Sequence, residues 1–157
     1  MSIIINGKEI KYSDGLRPID FTSGDKNIIT CKINNKLRDL TYKIEDGSKV
    51  ELLGFEDSDS IRVYEASLRY LLAMAIKRSF PDMHVECDYY ASRAICFKLK
   101  KGLFSLEQFE KIEKEVKSIV DKDYLFVRET IELKDAVKYY GENDFLDKVE
   151  VFKYSKE

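Results

Sequence analysis

The sequence is poor in the residues on which most enzyme sites are built. It has one histidine, His84, which excludes a zinc site with two histidines. Its three cysteines, Cys31, Cys87 and Cys96, form no CxxC pair and are odd in number, which points to reduced thiols rather than a disulfide framework. None of the seven glycines falls into GxGxxG or into GxxxxGK followed by Ser or Thr, so no phosphate-cradling loop is present and this segment is not itself a kinase. The longest uninterrupted apolar run, Tyr70 to Ile76, is far shorter than the ~20 residues that cross a bilayer. The opening MSIIINGKEI has no signal-peptide core, and a cytoplasmic protein with no membrane contact is expected. Net charge is nearly absent too: 27 Lys+Arg against 29 Asp+Glu leave -2, so any nucleic-acid contact must be a local patch.

What is present suffices for one good core or two small ones, with 44% hydrophobic residues in 157. Ile3-Ile4-Ile5, Asn6-Gly7 and Glu9 to Tyr12 read as a hairpin, because Asn-Gly tolerates positive φ at both central positions of a type I′ turn. Pro18 to Phe21 suits a short helix. Ile28 to Ile33 is strand-like, Asn34-Asn35 turns, Lys36 to Tyr42 runs on, and Asp46-Gly47 turns into Val50 to Leu53. A small sheet over one helix within about 55 residues is a β-grasp reading.

Glu56 to Ser60 then offers a linker and a choice of N-cap. From Ile61 to Phe80 the residues Ile61, Tyr64, Leu68, Leu71, Leu72, Ala75 and Ile76 form one apolar stripe, stopped by Pro81. Val85, Cys87 and Tyr89, then Ile95, Phe97 and Leu99, alternate as two half-buried strands. On neighbouring strands Cys87 and Cys96 could face each other. Ser105-Leu106-Glu107-Gln108 is a capping box that opens a helix with Phe109, Ile112, Val116, Ile119 and Val120 as its core side. Tyr124 to Ile131 reads as a third strand, and Leu133 to Tyr140 as a helix closed by Gly141 at C′. The expected organisation is α+β: a β-grasp domain over 1–56, a linker at 57–60 and an α+β module over 61–157 that is incomplete at its C-terminus.

Candidate binding residues follow from cations interleaved with aromatic rings, which suit a nucleotide or RNA: Arg69, Tyr70, Tyr90, Arg93, Lys98, Lys100 and Lys101, with Tyr89 alternating toward the core. The competing reading is a solvated sheet edge, since edge lysines also block strand-to-strand association. Lys36, Arg38 and Tyr42 make a second, weaker patch. His84 lies at a strand start as a solvent-facing imidazole. No catalytic residue and no metal ligand is identified.

KINNKLRDLTYKIEDGSKVELL, over Lys32 to Leu53, resembles the second half of a TGS domain. IRVYEASLRYLLAMAIKRSFPD, and the stretch from Ala94 to Tyr140, resemble the domain that follows TGS in threonyl-tRNA synthetases. The same pair of modules heads a bacterial family similar to uridine kinases, in which a P-loop kinase domain follows. That resemblance implies a non-catalytic nucleotide- or RNA-binding regulatory module, needing no cofactor itself, whose parent uses ATP and Mg and whose partner is the C-terminal kinase domain. The synthetase resemblance implies instead a tRNA-editing deacylase module with a degenerate metal site. In that family the long helix presents two histidines four residues apart; the matching places here hold Ala66 and Tyr70. A methyl group ligates nothing, and a neutral phenol neither binds metal well nor shuttles protons. The family's second pair, a cysteine and a histidine further downstream, falls beyond residue 157. A purely structural spacer is the third reading.

Overall fold

The computed structural model describes residues 1–91, 94–99, 102–127, 129–142 and 146–153, with the backbone alone for 87–91, 146–148 and 153. The fold is α+β, in two compact units, Met1–Lys122 and Asp123–Glu157.

The first unit begins with strands β1 (Ser2–Ile5) and β2 (Lys8–Lys11), joined by Asn6 at φ 48° and Gly7 at φ 81°, as the hairpin reading requires. A single 3-10 turn, Pro18–Phe21, follows. Strands β3 (Ile28–Ile33), β4 (Lys36–Arg38) and β5 (Lys49–Gly54) complete a five-stranded sheet in the order β2-β1-β5-β3-β4. Only β1 and β5 pair in parallel; the other ladders are antiparallel. Along the chain, hairpin, helical turn and further strands follow one another as the β-grasp reading expects. The strand expected over Lys36 to Tyr42 ends at Arg38, after which Asp39 caps its own turn by accepting from the Thr41 N–H at 3.0 Å.

Ile3, Ile5, Cys31, Ile33, Ile44 and Val50 form the buried core of the sheet. Leu16, Phe21 and Leu40 pack over it, so the short helix expected at Pro18, a single 3-10 turn here, shares in covering the sheet. Two turn asparagines tie the central strand down from both sides. Asn6 Oδ1 accepts from the Leu52 N–H and Asn34 Oδ1 from the Lys49 N–H, both at 2.9 Å.

Of the candidate caps between Glu56 and Ser60, Asp57 is the one used: its carboxylate accepts from the Asp59 and Ser60 N–H groups at 2.9 and 3.1 Å. Helix α1 (Ser58–Ser79) starts there, within the stretch expected to cap it and taking up residues expected as linker. Its first turn is bolted to the sheet. Buried Ser60 donates to the Leu53 carbonyl at 3.3 Å, and Lys32 of β3 reaches Asp59 at 2.9 Å and Asp57 at 3.9 Å. Hydrogen bonding between Lys32 and Asp59 raises the amine's pKa and lowers the carboxyl's.

A hairpin of β6 (Val85–Ala91) and β7 (Ala94–Leu99) follows, and then α2 (Leu106–Asp121). The register sets Cys96 opposite Tyr89 and Cys87 opposite Phe97, so the two cysteines are not cross-strand partners. The side chain of Tyr89 lies outside the described residues, as do Arg93, Lys100 and Lys101 altogether. The capping box is present in full: Ser105 Oγ accepts from the Gln108 N–H at 3.2 Å, and Gln108 Oε1 from the Ser105 N–H at 2.8 Å.

A second core joins α1 to α2 through Ala75, Ile76, Ile112 and Ile119, with Leu71, Leu72, Phe80 and Val116 around it. Two members of the expected α2 core face leave it. Phe109 is 54% and Val120 57% exposed, because α1 meets only the narrow Ile112–Ile119 stripe and not the full width of the apolar face.

In the second unit the expected strand over Tyr124 to Ile131 is absent among the described residues; Tyr124 to Val127 are irregular and exposed. Helix α3 (Leu133–Glu142) runs through Gly141, which therefore is not its C′ residue. Helix α4 (Leu146–Lys153) packs back on it, with Tyr140 and Phe152 ring centroids 5.5 Å apart. Among the described residues no helix is long and apolar enough to cross a membrane.

Candidate functional site

Helix α1 organises the surfaces of interest, because it is longer than its partner. Its 22 residues extend ~33 Å and the 16 of α2 only ~24 Å, so α2 covers the C-terminal half and leaves the N-terminal half uncovered. Ile61, Tyr64 and Leu68, expected in the core as part of the stripe, are instead each about two-fifths exposed.

Ala66 and Tyr70 stand one turn apart on one solvent-facing surface of this uncovered half, Tyr70 being 61% exposed. Histidines at these positions would be placed together on one face. Here a methyl group and a phenol take their place, and among the described residues no three of His, Cys, Asp and Glu gather in reach of a common ion.

The opposite face of α1, about 180° around the helix at ~100° per residue, lines a cavity of about 840 Å³. Its walls are Phe55 at the end of β5, Ile61, Tyr64, Leu68 and Leu72 of α1, and Ile95 and Phe97 of β7. Two charged side chains interrupt this apolar lining. Arg69 Nη2 lies 3.7 Å from Glu65 Oε2 in an i,i+4 pair.

The sequence-derived binding residues are distributed as follows. Arg69 lines the cavity, and Tyr70 stands one residue further round the helix. Lys98 lies on β7 next to the cavity-lining Phe97, on the opposite side of the strand, 3.9 Å from Glu86. Tyr90 pairs with Ile95 by its backbone, and its side chain is outside the described residues with Arg93, Lys100 and Lys101. Glu65 was missed. An acidic residue just off an apolar stripe reads as solvated face, and only the length difference between the two helices could have signalled that this part of the stripe stays open.

Two further hollows occur. Near the C-terminal end of α1, His84 is exposed beside Phe80, Asp82, Met83 and Gln108 around a cavity of about 780 Å³. Beside β4, Asn34, Lys36, Arg38, Tyr42 and the carboxylate of Glu45 border a hollow of about 200 Å³, with the Arg38 guanidinium 4.9 Å from the Tyr42 ring centroid. Cys31, paired with Arg38 in the β3–β4 ladder, is fully buried, and burial pushes its thiol from 9.0 up to about 11, with Asp39 adding to the rise. The rise alone cuts the thiolate fraction about 100-fold. Iodoacetamide at pH 8 is therefore expected to alkylate Cys31 at least about 100-fold more slowly in the folded chain than in urea, measured by peptide mass.

No protein-family model matches the chain. A threonine–tRNA ligase of Acetivibrio thermocellus is 32% identical over 128 residues, covering 78% of this chain and 19% of the ligase. That of Clostridium kluyveri is 29% identical over 154 residues, covering 94% and 24%. A third, from Carboxydothermus hydrogenoformans, is 33% identical over 129 residues, covering 82% and 20%. The chain resembles part of a threonine–tRNA ligase. It spans about a fifth to a quarter of the length of these relatives. Their identity favours the synthetase resemblance over the nucleoside-kinase one.

Proposed function

We propose that this chain is a tRNA-handling module of the threonyl-tRNA synthetase type: a TGS-like β-grasp domain over 1–56, and an editing-type domain from 61 onward that no longer hydrolyses aminoacyl ester. The observation that carries the reading is a pairing of two facts. Similarity to threonine–tRNA ligases runs through both parts of the chain, while the two places on the exposed face of α1 that match the family's histidines hold Ala66 and Tyr70.

Hydrolysis of an aminoacyl ester needs a group that takes a proton from water near neutral pH, or a metal that lowers the pKa of bound water. A methyl group does neither, and a phenol at Tyr70 can at most donate a hydrogen bond to a ribose hydroxyl or phosphate. What remains is recognition, with the Arg38–Tyr42 stack and neighbouring Lys36 as the patch best suited to phosphate and base. With a tRNA partner we propose a cytoplasmic location.

The test is to incubate the full chain, in excess, with threonine-acceptor tRNA carrying a wrong amino acid. Release of that amino acid is expected to stay within about twofold of the rate without protein. A protein-dependent acceleration of about 100-fold or more, the order supplied by one general base, would make the module a hydrolase with an unfamiliar centre.

A further inference from the structure

The hollow beside β4 holds a carboxylate, Glu45, for which attraction to phosphate gives no reason. We propose that this hollow is a subsite for a guanine base; that the base belongs to tRNA rests on the reading above.

The walls are built on fixed backbone. The β3–β4 register sets Lys36 opposite Ile33 and Arg38 opposite Cys31, so both cations stand on the side of the sheet that carries its buried core, on the edge strand. The loop from Asp39 to Ser48 supplies the facing wall. Ile44 fastens that loop: its side chain is 0% exposed and its N–H donates to the Leu16 carbonyl at 2.9 Å. Lys43 bonds Asp14 at 2.9 Å beside it. Tyr42 and Glu45 flank these two anchors, so the loop presents both from a held position.

Size limits what enters. About 200 Å³ is smaller than the roughly 300–1,000 Å³ of sites that enclose a whole small molecule, so the hollow takes one flat ring system and leaves sugar and phosphate outside. The Arg38 guanidinium and the Tyr42 ring, 4.9 Å apart, offer flat faces for stacking.

Charge then selects among the bases. Lys36 and Glu45 make no hydrogen bond or ion pair among the described residues, and Lys43, which feels the Glu45 charge, is held by Asp14. An ammonium only donates and a carboxylate only accepts. Guanine answers both: its N1–H and 2-amino group donate side by side to the two oxygens of Glu45, and its O6 and N7 accept from Lys36 or Arg38. Adenine has the opposite polarity at both places, with the N1 lone pair toward the carboxylate and the 6-amino group toward the cations. Cytosine sets an acceptor beside its amino group and uracil has a single N–H, so neither gives a carboxylate two donors. A paired guanine is excluded too, because pairing occupies the same edge.

The deciding experiment is an NMR titration of the full chain, following the amides of Asn34 to Ser48, with GMP, IMP, AMP and ribose 5-phosphate. IMP lacks only the 2-amino group, and ribose 5-phosphate lacks the base. GMP is expected to shift these amides, with each of the other three at least about 10-fold weaker, the loss of roughly one charge-assisted contact. Glu45→Gln should lower the preference for GMP over AMP by about 10-fold or more, and Lys36→Ala should weaken GMP; both positions are exposed, so both variants keep the fold. No shift by GMP at about 10 mM, the low end of useful small-ligand affinity, would overturn the proposal. So would equal affinity for AMP, or an unchanged preference in Glu45→Gln. A short single-stranded RNA of uridines with one central guanine should compete with GMP, and should stop competing when annealed to its complement. If GMP binds and this RNA does not, the guanine subsite stands for a free nucleotide and the tRNA reading falls. If tRNA binds while neither GMP nor the short RNA reaches the hollow, the subsite falls and the tRNA reading stands.

Discussion

Val50→Asp is expected to leave the five-stranded sheet unfolded in buffer without denaturant. Val50 is 0% exposed and sits in the central strand, opposite Ile5 of β1 on one side and Ile33 of β3 on the other. An aspartate there either stays charged with no cation in the core or takes up a proton, and either way the cost is several kcal/mol. A module of this size has only about 5 kcal/mol or a little more to lose. The check is amide dispersion in a two-dimensional NMR spectrum, with Leu37→Asp on the edge strand β4 as control. Leu37 is partly exposed, so its variant should keep the wild-type spectrum and a stability within about 0.5 kcal/mol. A dispersed spectrum for Val50→Asp would mean that the β-grasp core is not where the structure puts it.

Ile76→Ala should cost about 3 kcal/mol, within the ~2–5 kcal/mol range for emptying a well-packed site. Ile76 is 2% exposed and packs with Ala75, Ile112 and Ile119 in the only buried cluster that joins α1 to α2 among the described residues. Its loss should lower the urea midpoint of the helical signal, whereas Leu106→Ala, at a largely exposed position on α2, should change it little. Ile76→Ala combined with Ile112→Ala should cost less than the two single losses together by about 0.5 kcal/mol or more, because both empty one cavity. Strict additivity would place the two residues in separate environments.

Local chemistry explains which parts of this fold were legible in the sequence. Asn6-Gly7 and the Ser105 to Gln108 box name their own geometry, since few other residues satisfy positive φ or a reciprocal cap. Tyr124 to Ile131 shows the limit. Its β-branched and aromatic residues favour a strand, but a strand needs a neighbour to bond with, and the sequence does not say whether one is within reach. Gly141 is similar: glycine permits a left-handed cap without compelling it, and α3 absorbs the ~1 kcal/mol propensity cost to continue to Glu142. On α1 the apolar stripe was correct in phase but not in burial. Periodicity reports which side of a helix is apolar, while the length of α2 decides how much of that side is covered. The succession of hairpin, turn and further strands was readable from turn residues and strand lengths; the cavity was not, because its walls come from three elements, β5's end, α1 and β7, that are remote in sequence.

Recognition of tRNA without hydrolysis is the centre of this account, and its most direct test is filter binding of labelled threonine-acceptor tRNA to the full chain between about 50 and 200 mM salt. Saturable binding that weakens on the order of tenfold across that range, and that is further weakened by Lys36→Ala with Arg38→Ala, is the expected result for a patch engaging a few phosphates. Binding that is absent, or that is unchanged by salt and by both substitutions, would contradict it.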